Sequence, residues 1–306
     1  MLRPNFAQNY GFDPVRFFRF ERFLPKLEGI TLYYGFGAPN TANDSNKKVL
    51  IDLETPNFLY KDDRYNPDEF DAIFMLCPYS VQYLNWKHKT NKFHTMWFPI
   101  DLPPELSLPD AERVIPVYYT GSAMLGNPIL QMIDRVLQKY LGNSQDAITR
   151  LISATDYSGY LEKLRILGLT KVCIAHNVLH YNQNLPNYTN KYMDTSYSPF
   201  LPWHGKPFQD VTYLPQLKSR IFEGALMGCV LLVFKDEYKT IENYFEENKD
   251  FVYFESEEDL IQKINHILQN YESYIPIAKS AQQKVLTHYG VEMFVDLINR
   301  TLKHTT

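Results

Sequence analysis

The sequence has little that could cross-link a chain. Its 306 residues include three cysteines, Cys77, Cys173 and Cys229. They are far apart, odd in number and set among apolar neighbours, so buried thiols in a reducing compartment are expected and a disulfide or zinc framework is not. No clustered Cys/His ligands and no D-x-D carboxylate pair are present, so no metal is expected. No Walker loop or G-x-S-x-G elbow occurs, and G-x-G is found only as GFG at 35–37, without the third glycine of a dinucleotide fingerprint. There is no long run of Lys and Arg, and 31 basic against 35 acidic residues give a net charge of −4. Such a balance disfavours a polyanion partner, nucleic acid included. The longest apolar runs, such as VLLVF at 230–234, fall far short of the roughly 20 residues that cross a bilayer. The opening MLRPNFAQNYGFDP lacks an apolar signal core. A cytoplasmic protein is the expectation.

What is present is the material of a two-domain α/β protein. Hydrophobic residues make up 45% of the chain and aromatics 15%, and 306 residues are long for one core. Short apolar runs of strand length, at 29–37, 47–54, 70–77 and 93–100, alternate with helical patterns such as 78–88, which predicts a parallel, doubly covered sheet. Prolines 103, 104, 109 and 116 mark a linker, after which the alternation restarts with strands at 114–122, 169–177, 230–234 and 250–254. Helices are predicted at 128–141, 256–271 (with Ser256 as N-cap and Asp259 in the capping-box position), 275–287 and 291–302. The expected domains are 1–105, with an abbreviated sheet, and 112–288, followed by a terminal helix, 289–306, placed back on the first domain. A proline-rich, aromatic stretch at 185–210 reads as a long functional loop. The FFRFERF helix near residue 20 packs Phe17, Phe20 and Leu24 inward, or lies on a membrane surface carrying a lipid-linked acceptor.

The segment KSRIFEGALMGCVLLVFKD (218–236) places three charges before an aliphatic strand. Pro215 suits the first turn of a helix that runs to about Gly228. Leu217, Ile221 and Ala225 then share one face, and Gln216, Ser219, Arg220 and Glu223 the other. Gly224 and Gly228 allow close approach to a sheet or ligand. A helix N-terminus with Lys218 and Arg220 suits a diphosphate, and Glu223, one turn deeper, suits the vicinal hydroxyls of a ribose. The same pattern also describes an ordinary charged helix face.

In order, the R-x-F-E helix, the aliphatic strand, the DFVYF strand, the serine-capped helix and the closing helix resemble the C-terminal half of GT-B glycosyltransferases, the CgeB-type group in particular. The resemblance covers roughly 212–300. It implies two Rossmann-like domains facing a cleft, a nucleotide-diphosphate sugar as co-substrate, a glycan or lipid-linked acceptor, and no other cofactor. It also implies that Arg220 and Glu223 hold the donor. Many retaining members carry a further glutamate eight positions earlier, where this chain has Pro215.

Other strand ends supply further candidates. Gly121 and Ser122, in YYTGS, would bring backbone amides to the donor phosphates, or form a plain tight turn. His176 or Asn177, in CIAHN, would contact donor or acceptor, or cap a strand exit. Glu54, in LIDLETPNF, is the candidate base for the acceptor hydroxyl, or a helix-capping acid. The ETPNF segment resembles part of bacterial α1,3-fucosyltransferases. A fucosyltransferase-like enzyme, a nucleotide-sugar 2-epimerase and a non-catalytic sugar-nucleotide or glycan binder are the alternatives.

Overall fold

The computed structural model describes residues 6–8, 26–34, 45–52, 66–109, 112–121, 127–141, 157–180 and 213–303. The chain divides into two compact units. Unit 1 comprises Met1–Pro99, Val178–Leu217 and Val291–Thr306, and unit 2 comprises Ile100–Asn177 and Lys218–Gly290. The division departs from the sequence expectation in the middle of the chain, because Val178–Leu217 groups with unit 1.

Unit 1 opens with β1 (Phe6–Gln8), β2 (Ile30–Tyr34), β3 (Lys47–Asp52), β4 (Ala72–Met75), helix α1 (Pro78–His88) and β5 (Phe93–Thr95). Unit 2 follows with β6 (Ile115–Tyr119), α2 (Pro128–Leu141), α3 (Tyr157–Gly168) and β7 (Thr170–Ala175). The chain then supplies unit 1 with β8 (Val178–His180) and β9 (Tyr213–Pro215). Unit 2 resumes with α4 (Ser219–Leu226), β10 (Val230–Phe234), β11 (Val252–Phe254), α5 (Glu257–Gln269) and α6 (Tyr271–His288). Helix α7 (Val291–Lys303) completes unit 1.

Each unit carries a wholly parallel sheet, in the order β1-β2-β3-β4-β5 in unit 1 and β11-β10-β7-β6 in unit 2. Strands buried on both faces have to be apolar throughout. All four residues of β4 are buried, and Val230 to Val233 have no exposed surface. Among the described residues, the unit 1 sheet has five strands against four in unit 2. Strand β1, too short to register as a periodic run, supplies the extra member.

The helices that cover these sheets follow their local signals. In α2, Pro128 opens the first turn, Asn127 Oδ1 accepts from Ile129 N at 3.0 Å, and Ile129, Ile133, Val136 and Leu137 form the buried stripe. In α5, Ser256 Oγ accepts from Asp259 N at 3.2 Å while Asp259 Oδ2 accepts from Glu255 N at 2.9 Å, a capping arrangement that closes in both directions. In unit 1, Phe294 of α7 packs edge-on against Phe74 and Trp97. The three cysteines are free and buried. The FFRFERF helix near residue 20 and the loop at 185–210 lie outside the described residues.

Candidate functional site

In parallel sheets, ligand-binding side chains gather where the strands end at their carboxyl edge. In unit 2 that edge carries Thr120 and Gly121 after β6, His176 and Asn177 after β7, and Asp236 after β10. Helix α4 brings its N-terminus to the first two pairs. Asn177 Oδ1 accepts from Lys218 N at 3.1 Å, so the N-cap residue of α4 is tied to the exit of β7. That bond fixes the amide's orientation and turns its Nδ2 donor elsewhere.

Arg220, in the first turn of α4, does not face bulk water: it is 8% exposed. Its guanidinium carbon lies 4.3 Å from the ring centroid of Tyr119, the last residue of β6. A cation stacked on an aromatic face away from water is held by about 2 kcal/mol. Tyr119 Oη in turn lies 3.2 Å from His176 Nε2, so the ring is fixed from both sides. Burial pushes the Tyr119 phenol up from its ordinary value, and the Arg220 cation partly opposes that rise. Gly121, at φ +142, lies directly against the guanidinium: a Cβ there would fall 2.1 Å from Arg220 Nη2. The backbone conformation therefore favours glycine, and a side chain here would have to displace the guanidinium.

Around the N-terminus of α4, three buried side-chain groups that can donate find no hydrogen-bond partner among the described residues: Arg220 Nη1, Asn177 Nδ2 and Thr120 Oγ1. Thr120 and Asn177 are 0% exposed. Each group can donate, and leaving a buried donor unsatisfied costs about 1–3 kcal/mol. An acceptor-rich or anionic group would satisfy all three.

Glu223, one turn further along α4, is placed differently from the sequence expectation. It is 0% exposed, and Lys163 Nζ of α3 lies 2.5 Å from its Oε2. The supposed charged face of α4 is thus internal, with every residue from Arg220 to Leu226 buried. Pro215 is not helical either. It ends β9 opposite Val178, and the helix begins only at Ser219. Gly224 lets α4 lie on the sheet, since a Cβ there would come 3.0 Å from Cys173 Sγ and 2.9 Å from Leu231 Cδ2. At the other end of α4, Arg113 Nη2 donates to Met227 O at 2.7 Å and Gln282 Nε2 to Leu226 O at 2.8 Å, satisfying carbonyls left open by the helix end.

Of the residues expected from sequence, Gly121, Asn177, Lys218 and Arg220 are brought together. Ser122 and Glu54 lie outside the described residues. Sequence reasoning missed Tyr119 and Thr120, which occupy the same YYTGS stretch, and missed Lys163, whose helix α3 carried no signal that was read. Unit 2 also has an open depression of about 550 Å³, lined in part by Tyr244, Glu247, Lys284 and Tyr289, which includes none of the strand-end residues. Among the described residues no group of His, Cys, Asp and Glu is placed to hold a metal, and no helix is long and apolar enough to cross a membrane.

The chain resembles known proteins in two ways. The family described as glycosyl transferase-like matches residues 208–298. Among solved structures, TarM is similar at 12% identity with a TM-score of 0.53, over 94% of this chain and 57% of TarM. A mutant of S. aureus TarM, solved with fondaparinux, alpha-GlcNAc-glycerol and UDP, matches at 11% identity and a TM-score of 0.51, over 94% of this chain and 58% of that one. HepE of Anabaena, in complex with UDP and glucose, is matched at 12% identity and a TM-score of 0.49, over 89% of this chain and 78% of HepE. This chain therefore spans a little under three-fifths of the length of TarM. No curated protein matches it significantly in sequence. The chain has the GT-B fold of these structures, and its residues 208–298 match the glycosyl transferase-like family.

Proposed function

We propose that the protein is a glycosyltransferase, and that the strand-end site of unit 2 binds the diphosphate of a nucleotide-sugar donor whose sugar passes to a hydroxyl on a glycan or lipid-linked acceptor. The observation that carries this reading is Arg220: an enclosed guanidinium, stacked on Tyr119, set against Gly121, with Nη1 unpartnered among the described residues. Asn177 Nδ2 and Thr120 Oγ1 add donors of the same kind. Lys218 and the N-terminus of α4 add positive potential.

In transfer, the acceptor oxygen bonds to the anomeric carbon as the bond from that carbon to the β-phosphate oxygen breaks, and the electron pair leaves with the nucleoside diphosphate. Arg220, Lys218 and the α4 N-terminus stabilise the charge that develops on it, as oriented donors do in a dry site. The reaction as proposed uses no metal. The acceptor proton goes to a base, for which Glu54 is the proposal. Pro215 offers no carboxylate at the place where retaining relatives of the resemblance carry their first acid. UDP-sugars are the first donors to test, since the TarM mutant was solved with UDP.

A thermal-shift screen of UDP-, GDP-, TDP- and CMP-sugars against the wild type and Arg220→Ala tests the reading. At a hundredfold excess over Kd, a bound donor adds about 2.7 kcal/mol of stability, which raises Tm by roughly 5–10 °C. The expected outcome is such a shift with a nucleoside diphosphate sugar, lost in Arg220→Ala. No shift with any donor, or an equal shift in the variant, contradicts the site. Turnover with an acceptor would then set a transferase apart from a binder, and release of an epimerised sugar without acceptor would identify an epimerase.

A further inference from the structure

The Lys163–Glu223 pair sits between two helices at the back of the strand-end site, and its charge balance has a consequence for Arg220. Two cations, Lys163 and Arg220, and one carboxylate, Glu223, are enclosed in the same part of unit 2. Arg220 and Glu223 are three apart on α4, a spacing at which side chains on one helix can meet. Yet the carboxylate is engaged by Lys163 from α3, while Arg220 is turned to Tyr119 and Gly121. A buried carboxylate deprived of its partner keeps a large desolvation penalty and takes the nearest cation available. Among the described residues, Arg220 is the other buried cation, and it acts on the same Cys173 thiol as Lys163 and Glu223.

We infer that Lys163 is a positioning residue: by holding Glu223, it keeps that carboxylate from capturing Arg220, so the guanidinium stays turned towards the strand ends, where it can take an anion. On this reading Glu223 does not touch the nucleotide. Its place one turn behind Arg220, with no exposed surface, makes it part of the internal clasp between α3 and α4. The Cys173 thiol belongs to the same surroundings. Burial drives its pKa well up, Arg220 and Lys163 pull it down, and Glu223 pushes it further up, as expected of groups that share one enclosure.

The inference rests on the donor reading proposed above, and its test separates the two. The full chain is prepared as wild type, Lys163→Met, Glu223→Gln and Lys163→Met/Glu223→Gln, and each is measured for Tm and for UDP affinity by calorimetry. Lys163→Met is expected to weaken UDP by about tenfold or more, although Arg220 is intact, and to lower Tm by roughly 10 °C through the stranded carboxylate. Adding Glu223→Gln to Lys163→Met removes the competitor. The double variant is expected to recover UDP affinity to within about threefold of wild type, together with most of the lost Tm. A ligand role for Glu223 gives the opposite order, with the double variant binding more weakly than Lys163→Met alone, and that result overturns the inference. Losses of Tm that simply add in the double variant overturn it as well, because a clasp requires the two residues to be coupled. If wild type binds neither UDP nor another nucleoside diphosphate, the donor reading fails by itself. The Tm cycle then still decides whether the clasp exists.

Discussion

At the scale of single residues, the carboxyl edge of the unit 2 sheet contains a second unusual group, Asp236, just past β10. Its Oδ1 accepts from Tyr238 N and Lys239 N, a turn-closing role, while Oδ2 is buried without a partner among the described residues. Burial raises its pKa from 3.8 to about 7, against the opposing pull of those backbone N–H groups. A folded pKa above the unfolded one means that the folded state holds the proton more tightly. The stability it contributes is full below about pH 4 and is lost as pH rises through about 7. Asp236→Asn keeps the carbonyl that closes the turn and removes the ionisation. Between pH 5 and pH 8 the wild type is therefore expected to lose roughly 2–3 kcal/mol relative to Asp236→Asn in urea unfolding. Parallel pH profiles for the two proteins would show that Asp236 is not held protonated. None of this was legible in the sequence, where a Lys-Asp-Glu step after a strand reads as an ordinary polar exit. The proton affinity comes from enclosure by residues distant in sequence.

At the scale of elements, α4 is the piece on which the site depends, and it was half legible. Its R-x-F-E core, the glycine that lets it approach the sheet and the strand that follows are all visible in KSRIFEGALMGCVLLVF, because they reflect local spacing. Its start was misread. Pro215 suits a first helical turn in isolation, but pairing with Val178 holds it extended, and the cap falls to Lys218 bonded to Asn177. The direction of Glu223 was misread for a similar reason: an amphipathic reading assigns charges to solvent, and only the position of α3 shows that Lys163 waits inside. The close contact at Gly224 has a measurable consequence. Replacing it with valine forces branched carbons into Cys173 and Leu231, which a Cβ alone would already meet at 3.0 and 2.9 Å. Overpacking of this kind costs roughly 1–3 kcal/mol, so denaturant unfolding of Gly224→Val is expected to show a loss of about that size. Unchanged stability would mean that α4 can lift from the sheet, leaving Arg220 less firmly placed than the site requires.

At the scale of the whole molecule, strand periodicity was the most informative feature of the sequence. Helices 78–88 and 128–141 were read to the residue, as was β10, because each has an apolar stripe or run bounded by proline, glycine or charge. The return of the terminal helix to the first domain was expected and is found in α7, whereas the return of Val178–Leu217 to unit 1 was not read, since interleaved connectivity leaves no mark on local composition. The donor chemistry stood in between. Its cations and glycine were visible, but the three orphaned donors were not, because satisfaction of a hydrogen bond is a property of the fold.

A crystal structure of the protein with UDP tests the central claim most directly. The account expects a diphosphate oxygen at about 3 Å from Arg220 Nη1, beside Gly121 and Asn177, with Glu223 still on Lys163. A diphosphate bound elsewhere, for instance in the depression lined by Tyr244 and Lys284, would contradict it.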